Sequence, residues 1–268
     1  MLDWNTWFIA LGANLLIGLA AWMYSIPKRN VAIVDGLWSL MILNSLLVYV
    51  LLSSAFGARS ILVLAMVSIW AIRLSAHITL RNHGKPEDHR YQAIRRNNEP
   101  HFWLKSLYIV FGLQAVLAWV VSLPAVAAAA SPAPLGWLDL TAVLLWATGM
   151  FFEVLGDWQL RQFQRKRKSA GEVLDQGLWR YTRHPNYFGE ALLWWGIWLT
   201  ALSAGAWWSV ISPLMMTWLL LRVSGVALLE KDIAERRPAY RDYIERTSAF
   251  LPAPPRRSRR AASNLNGA

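Results

Sequence analysis

Seven apolar runs, each about as long as a bilayer crossing, dominate the sequence: roughly 5–26, 31–54, 60–80, 102–126, 136–160, 187–204 and 206–229. A helix crosses the hydrocarbon core in about 20 apolar residues. Lipid offers the backbone no hydrogen-bond partner, so a run of this length must close its own N–H and C=O groups as helix. The pattern predicts an all-α integral membrane protein with seven transmembrane helices. Short joints such as Pro27-Lys28-Arg29-Asn30 and Ala130-Ser131-Pro132-Ala133-Pro134 part the runs, while Ser203-Ala204-Gly205 barely separates the last two. The first run lacks a basic leader and a small-residue cleavage pattern before Lys28, which marks a retained span rather than a signal peptide. With no internal repeat, residues 1–251 form one transmembrane domain. Residues 252–268, rich in Pro, Arg and small polar residues, form a basic disordered tail.

The net charge of +11 raises nucleic acid as a partner, but its distribution argues against that. Lys28 and Arg29 follow the first run and only Arg59 the second. Arg81, Lys85, Arg90, Arg95 and Arg96 follow the third and none the fourth. Arg161, Arg165, Lys166, Arg167, Lys168, Arg180 and Arg183 follow the fifth and none the sixth. Basic loops alternating with neutral ones set the N-terminus outside and the C-terminus in the cytoplasm, as the odd span count requires. Membrane lipids, not nucleic acid, are the expected polyanion. The chain has no cysteine, which excludes disulfides, thiolate catalysis and Cys-based metal sites. His184 has no second histidine at ligand spacing, so no zinc site is expected.

Ionisable residues inside apolar runs mark sites by default. Asp35 opens the second run, either as a charge favoured by the helix dipole or as a functional carboxylate. Arg73, His77 and Arg81 recur every fourth residue, drawing one stripe that leads to Asn82, Gly84 and Lys85. Glu153, Asp157 and Arg161 repeat the spacing, with Arg165 one step further. Each intramembrane carboxylate costs about 2.5–3.5 kcal/mol unless paired. An internal salt-bridge network or recognition of hydroxyl groups would each explain them. Arg222 and Glu230 are eight apart, on one face of a continuous seventh helix. The stripes are expected to gather in one cavity toward the cytoplasmic side, suited to a phosphate-bearing cofactor and a greasy substrate arriving from lipid. Arg73, Glu153, Arg165 and His184 belong to that cofactor set.

The segment Leu178-Trp179-Arg180-Tyr181-Thr182-Arg183-His184-Pro185-Asn186-Tyr187-Phe188-Gly189-Glu190 turns from basic and aromatic to apolar at Pro185. Proline suits the first turn of a helix, where free N–H groups beside Arg180, Arg183 and His184 would hold a polyanion. This segment resembles the C-terminal signature of the steroid 5α-reductase superfamily, in particular its bacterial branch DUF1295. The likeness extends to Asp157-x-x-x-Arg161, Asn82-x-Gly84-Lys85-Pro86, Leu221-Arg222, the stretch Tyr240 to Pro252, and Asp35.

The resemblance implies a seven-span membrane enzyme that uses NADPH to pass hydride to the enone C=C of a lipophilic substrate such as a 3-oxo-Δ4-steroid. By position, Asp157, Arg161, Asn186, Tyr187, Glu190 and Arg222 would hold NADPH, with Lys85 near its phosphates. Asp35 and Glu230 would be the catalytic residues, with Asp35 at the substrate carbonyl and Glu230 standing where animal steroid reductases carry a tyrosine. The implied setting is a bacterial inner membrane with the cofactor site facing the cytoplasm. Isoprenylcysteine carboxyl methyltransferases, which use S-adenosylmethionine, share the Arg-His-Pro-x-Tyr signature and supply the alternative. They pair two glutamates in the last helix where this chain has Glu230-Lys231, and the basic loops favour a cofactor with three phosphates. A lipid-binding or transport protein would not need so many phosphate-suited arginines, nor are broken helices expected here.

Overall fold

A computed structural model describes residues 2–167, 169, 171–223, 225–230 and 239–256. Lys168, the charged run Lys231–Arg237 and the tail from 257 onward therefore lie outside the described residues. Among those described there is helix and no strand, apart from one bridge between Thr182 and Ser248. Five helices are long and apolar enough to cross a membrane: α1 (Trp4–Lys28), α2 (Ile33–Ser53), α3 (Ala58–Asn82), α5 (Phe102–Val121) and α7 (Trp137–Lys166). Between and after them lie α4 (His89–Asn97), α6 (Leu123–Ala129), α8 (Pro185–Ser203), α9 (Trp207–Val223), α10 (Val226–Glu230) and α11 (Ala239–Arg246). The protein is an integral membrane protein.

Two expected spans differ. The fourth stops at Val121, because Ser122-Leu123-Pro124 starts a new short helix with proline in its first turn. The seventh is not continuous: α9 closes in a π-helical turn, Leu219–Val223, and α10 starts afresh at Val226. Tight chain at Gly225 goes with this break, since a Cβ there would lie 1.9 Å from the Leu220 carbonyl oxygen.

The chain forms two units, residues 1–140 with 197–212 and residues 141–196 with 213–268. In the first, α2 is the central helix, packed against α1, α3 and α5. Its Val34, Met41, Ile42 and Leu46 are fully buried. Polar side chains fix the register. Asn14 on α1 donates to Ser45 at 2.9 Å and accepts from Asn44 at 2.9 Å. Tyr49 accepts from the backbone N–H of Asp3 at 2.9 Å, and Asp3 caps α1 by accepting from Asn5 and Thr6. Trp119 stacks on Trp7 at 3.8 Å and donates to its carbonyl. Trp4 and Trp207 are exposed at helix starts, and tryptophan favours the membrane–water boundary.

Arg59 is no solvated loop charge. It is buried and pairs with Asp139 through Nε at 3.0 Å and a terminal nitrogen at 2.9 Å. Its other donors reach Ser131, the Ala133 and Pro134 carbonyls and Ser203. One side chain thus ties the start of α3 to the start of α7 and the end of α8. Losing one partner of such a pair strands the other charge, which costs about 3–5 kcal/mol. Arg59→Ala should therefore lower the unfolding temperature in detergent far more than Arg96→Ala. Equal melting of the two variants would show that the pair is not needed.

Candidate functional site

In the second unit α7 and α8 meet along glycines. Gly149 and Gly156 on α7, like Gly189 and Gly196 on α8, are seven apart, two turns along one helix face. A Cβ on Gly189 would sit 2.5 Å from both the Glu153 nitrogen and the Gly149 oxygen. One on Gly149 would sit 2.5 Å from the Leu193 nitrogen, and one on Gly196 2.8 Å from the Trp146 nitrogen. The order of these contacts makes the pair antiparallel, with backbone against backbone.

That approach places the polar residues of the second unit. Next to Gly156, whose added Cβ would be 3.0 Å from the Asn186 nitrogen, Asp157 accepts from Asn186 Nδ2 at 3.0 Å. Asn186 Oδ1 is sheltered and has no hydrogen-bond partner. Glu153, Asp157 and Glu190 are buried, and Tyr187 is half-buried. Arg161 is half-buried, while Arg165 and Arg222 are exposed. Because the seventh helix breaks, Arg222 and Glu230 do not share the expected continuous face.

Gly189→Ala should destabilise the detergent-solubilised protein by about 1–3 kcal/mol or more, as overpacking does. Gly12→Ala, which meets nothing within 4 Å, should leave it unchanged. Equal unfolding temperatures would mean that the seam can open at no cost.

The signature segment is an anchor. Arg183, expected to face a polyanion, instead grips Glu230 with Nε and a terminal nitrogen, both at 2.8 Å. Its remaining terminal nitrogen donates to the Ile244 and Thr247 carbonyls. His184 Nε2 meets the same Glu230 at 2.8 Å, and its ring stacks on Tyr187 at 5.5 Å. Thr182 donates to the Phe250 carbonyl, Tyr243 donates to that of Trp179, and Trp179 Nε1 reaches the Gly156 carbonyl. Residues 252–256, expected as the start of the tail, also fold back: Ala253 N donates to the Tyr181 carbonyl and Arg256 N to that of Arg246.

Burial alone would raise the Glu230 pKa. Hydrogen bonds from His184 and Arg183 outweigh it and hold the carboxyl at about 2. Burial likewise opposes the Arg183 charge, and Glu230 more than restores it. A carboxylate held below its usual value of 4.5 favours the fold above that pH, and the contribution is lost as pH falls toward 2. Glu230→Gln should flatten the loss of stability over this acid window in a pH-dependent melt. An unchanged slope would place the acid sensitivity elsewhere.

In the first unit Asp35 sits in the first turn of α2 and is not alone. Its Oδ1 accepts from the Tyr91 hydroxyl at 2.5 Å and its Oδ2 from Arg90 at 2.8 Å. Both partners come from α4, whose start is capped by Asp88 accepting from Arg90 N at 2.9 Å. Glu87 binds Val31 N at 2.9 Å and Arg95 at 2.8 Å, fastening the segment across the start of α2. Gly36 lets α3 close in, since a Cβ would lie 2.7 Å from Thr79 Oγ1. Tyr91 is buried, and burial together with the Asp35 charge pushes its phenol well above the ordinary value. Burial works against the Arg90 charge, but Asp35 and Asp88 raise its pKa regardless.

Arg73 is half-buried on α3. Asn82 accepts from Arg81 at 3.2 Å, and Lys85 is exposed after Gly84, which takes φ +71°. Sequence reasoning missed Tyr91 and Arg90, counting the latter only as a loop charge. The available signal was Asp88 as a helix cap before Tyr91 and Ile94, apolar residues three apart.

Residues 21–247 match the family described as protein of unknown function DUF1295. The chain is 24% identical over 280 positions to the uncharacterized protein C594.04c of Schizosaccharomyces pombe, covering 92% of this chain and 80% of that one. A stretch of 75 residues is 32% identical to 3-oxo-5-alpha-steroid 4-dehydrogenase 1 of Bos taurus, spanning 26% of this chain and 29% of the bovine protein. No solved structure matches. The match over residues 21–247, most of the chain, makes this protein a member of the DUF1295 family, within the steroid 5α-reductase superfamily.

Proposed function

We propose that the protein is an NADPH-dependent reductase that delivers hydride to the C=C of a lipophilic enone such as a 3-oxo-Δ4-steroid. The observation that carries this is the Asp35–Tyr91–Arg90 cluster at the start of α2. When hydride reaches the β-carbon of an enone, negative charge develops on the carbonyl oxygen. A preplaced donor aimed at that oxygen lowers the barrier. Tyr91 keeps its proton at neutral pH and is oriented by Asp35, whose charge Arg90 balances. Its hydroxyl can turn to a carbonyl oxygen, and the α-carbon then takes a proton from solvent. Asp35 is thereby the orienting carboxylate, acting at the carbonyl through Tyr91. Glu230, ionised and held by Arg183 and His184, is assigned an anchoring role rather than proton donation.

The residues around Asn186 fit a nucleotide. Asn186 Oδ1 is an unused acceptor beside the Asp157 carboxylate, the set that ribose hydroxyls or a carboxamide would satisfy. NADPH, when bound, supplies the hydride, so the protein need only hold and orient it. Asp157, Asn186, Tyr187 and Glu190 would hold its polar groups, with Glu153 and His184 behind them. Arg161, Arg165 and Arg222, in the same unit, would face its phosphates, while Arg73, Asn82 and Lys85 are assigned to the cofactor from the sequence pattern alone. Similarity to the bovine protein supports the reaction class. The assignment includes one reductase domain over 1–251 and seven crossings, with α8 and α9 as the sixth and seventh. The N-terminus would lie outside, the nucleotide groups on the cytoplasmic side of a bacterial inner membrane, and the substrate would enter from lipid.

Tyr91→Phe and Asp35→Asn should keep NADPH-induced thermal stabilisation yet lose enone-dependent NADPH oxidation by about 10²–10⁴-fold, the usual contribution of a positioned acid. Asn186→Ala should lose the stabilisation itself. Stabilisation by S-adenosylmethionine and none by NADPH would overturn the assignment, as would full turnover in Tyr91→Phe.

A further inference from the structure

The second unit carries a cleft that none of the nucleotide groups above occupies. Gly177, at φ +61°, turns the chain so that residues 175–180 face the end of α11 and the segment after it. Arg256 N donates to the Arg246 carbonyl at 2.8 Å, folding Pro255 and Arg256 across the opening. The cleft is about 450 Å³, and Arg180, Arg246 and Arg256 line it together with Asp175, Gln176 and Thr247. Three arginines thus line the cleft with a single carboxylate.

Asp175 holds one terminal nitrogen of Arg246 at 2.6 Å, while Arg246 Nε is sheltered and has no hydrogen-bond partner. Among the described residues, Arg180 and Arg256 make no ion pair. Three arginines lining one cleft with a single carboxylate suit a multivalent anion, and the guanidinium fork matches phosphate oxygens two at a time. Next to Arg180 in the chain Tyr181 is 44% exposed, and Leu251 is 65% exposed. Exposed apolar side chains of this kind suit a headgroup boundary.

We propose that this cleft is a phosphate-binding site, filled either by the headgroup of an anionic lipid or by a free phosphate compound. The site is independent of the reductase assignment, since it uses no residue of the Asn186–Asp157 or Asp35–Tyr91 clusters.

The test uses the full chain without NADPH. One arm compares melting in neutral detergent with sodium phosphate and with sodium chloride at equal ionic strength. The other compares phosphatidylcholine nanodiscs with and without phosphatidic acid. The native chain should be stabilised in at least one arm, and R180Q/R256Q should weaken that binding by about tenfold, the scale of one strong contact. The double variant leaves the Arg246–Asp175 pair intact and should melt normally without the probe. Stabilisation by phosphatidic acid assigns the site to lipid, and stabilisation by phosphate alone assigns it to a soluble compound. Should the double variant not fold, D175N serves instead, because releasing Arg246 should tighten binding. No stabilisation in either arm, equal stabilisation in native and double-variant protein, or no gain in D175N would each overturn the proposal.

Discussion

Backbone contact between α7 and α8 is the constraint on which the second unit depends. Two helices with ordinary side chains stay 8–10 Å apart. Here four glycines remove the spacers, and small residues are how membrane helices approach when lipid gives them no hydrophobic drive to associate. The consequence is chemical as well as mechanical. Asp157 adjoins Gly156 and Asn186 follows Pro185, so the same close approach that joins the helices joins the carboxylate to the amide. An alanine in the seam would disturb the packing and the polar pair together.

The ionic groups obey a second rule, that a charge withdrawn from water keeps a partner. Arg59 meets Asp139 among four further acceptors at one end of the first unit. Asp35 meets Arg90 and Tyr91, and Glu230 meets Arg183 and His184. These clusters differ in what they leave available. Arg59 and Arg183 spend their donors on fixed partners, which suits anchoring. Around Asp35 the proton of a buried phenol lies on a short bond to an acceptor it can leave. A hydroxyl held in that way is oriented, and it can donate elsewhere by turning away from Asp35, which is why the chemistry is assigned there.

The break at the end of α9 alters how the last helices act. Had residues 206–229 formed one rod, Glu230 would have followed Arg222 along a single face. The π turn and Gly225 separate them, leaving Glu230 to close on the signature segment instead. A π turn shifts the register of every residue after it, and such turns concentrate at functional sites.

Sequence alone determined the membrane character, the first three long helices and the family. Hydrophobic length and a contiguous motif are local properties that need no folded partner to be seen. Pro185 as a helix start and Asp35 in the first turn of α2 were legible for the same reason. The glycines at heptad spacing were also visible, although what they face was not. Pairings lay beyond reach: Asp35 with Tyr91 is 56 residues apart in the chain, Arg59 with Asp139 is 80, and Arg183 with Glu230 is 47. Arg59 looked like an exposed loop charge and Arg183 like a ligand for phosphate because a guanidinium reads the same in any sequence. Whether its donors meet carbonyls, a carboxylate or an open cleft depends on which distant segments fold against it, and only tertiary structure decides that.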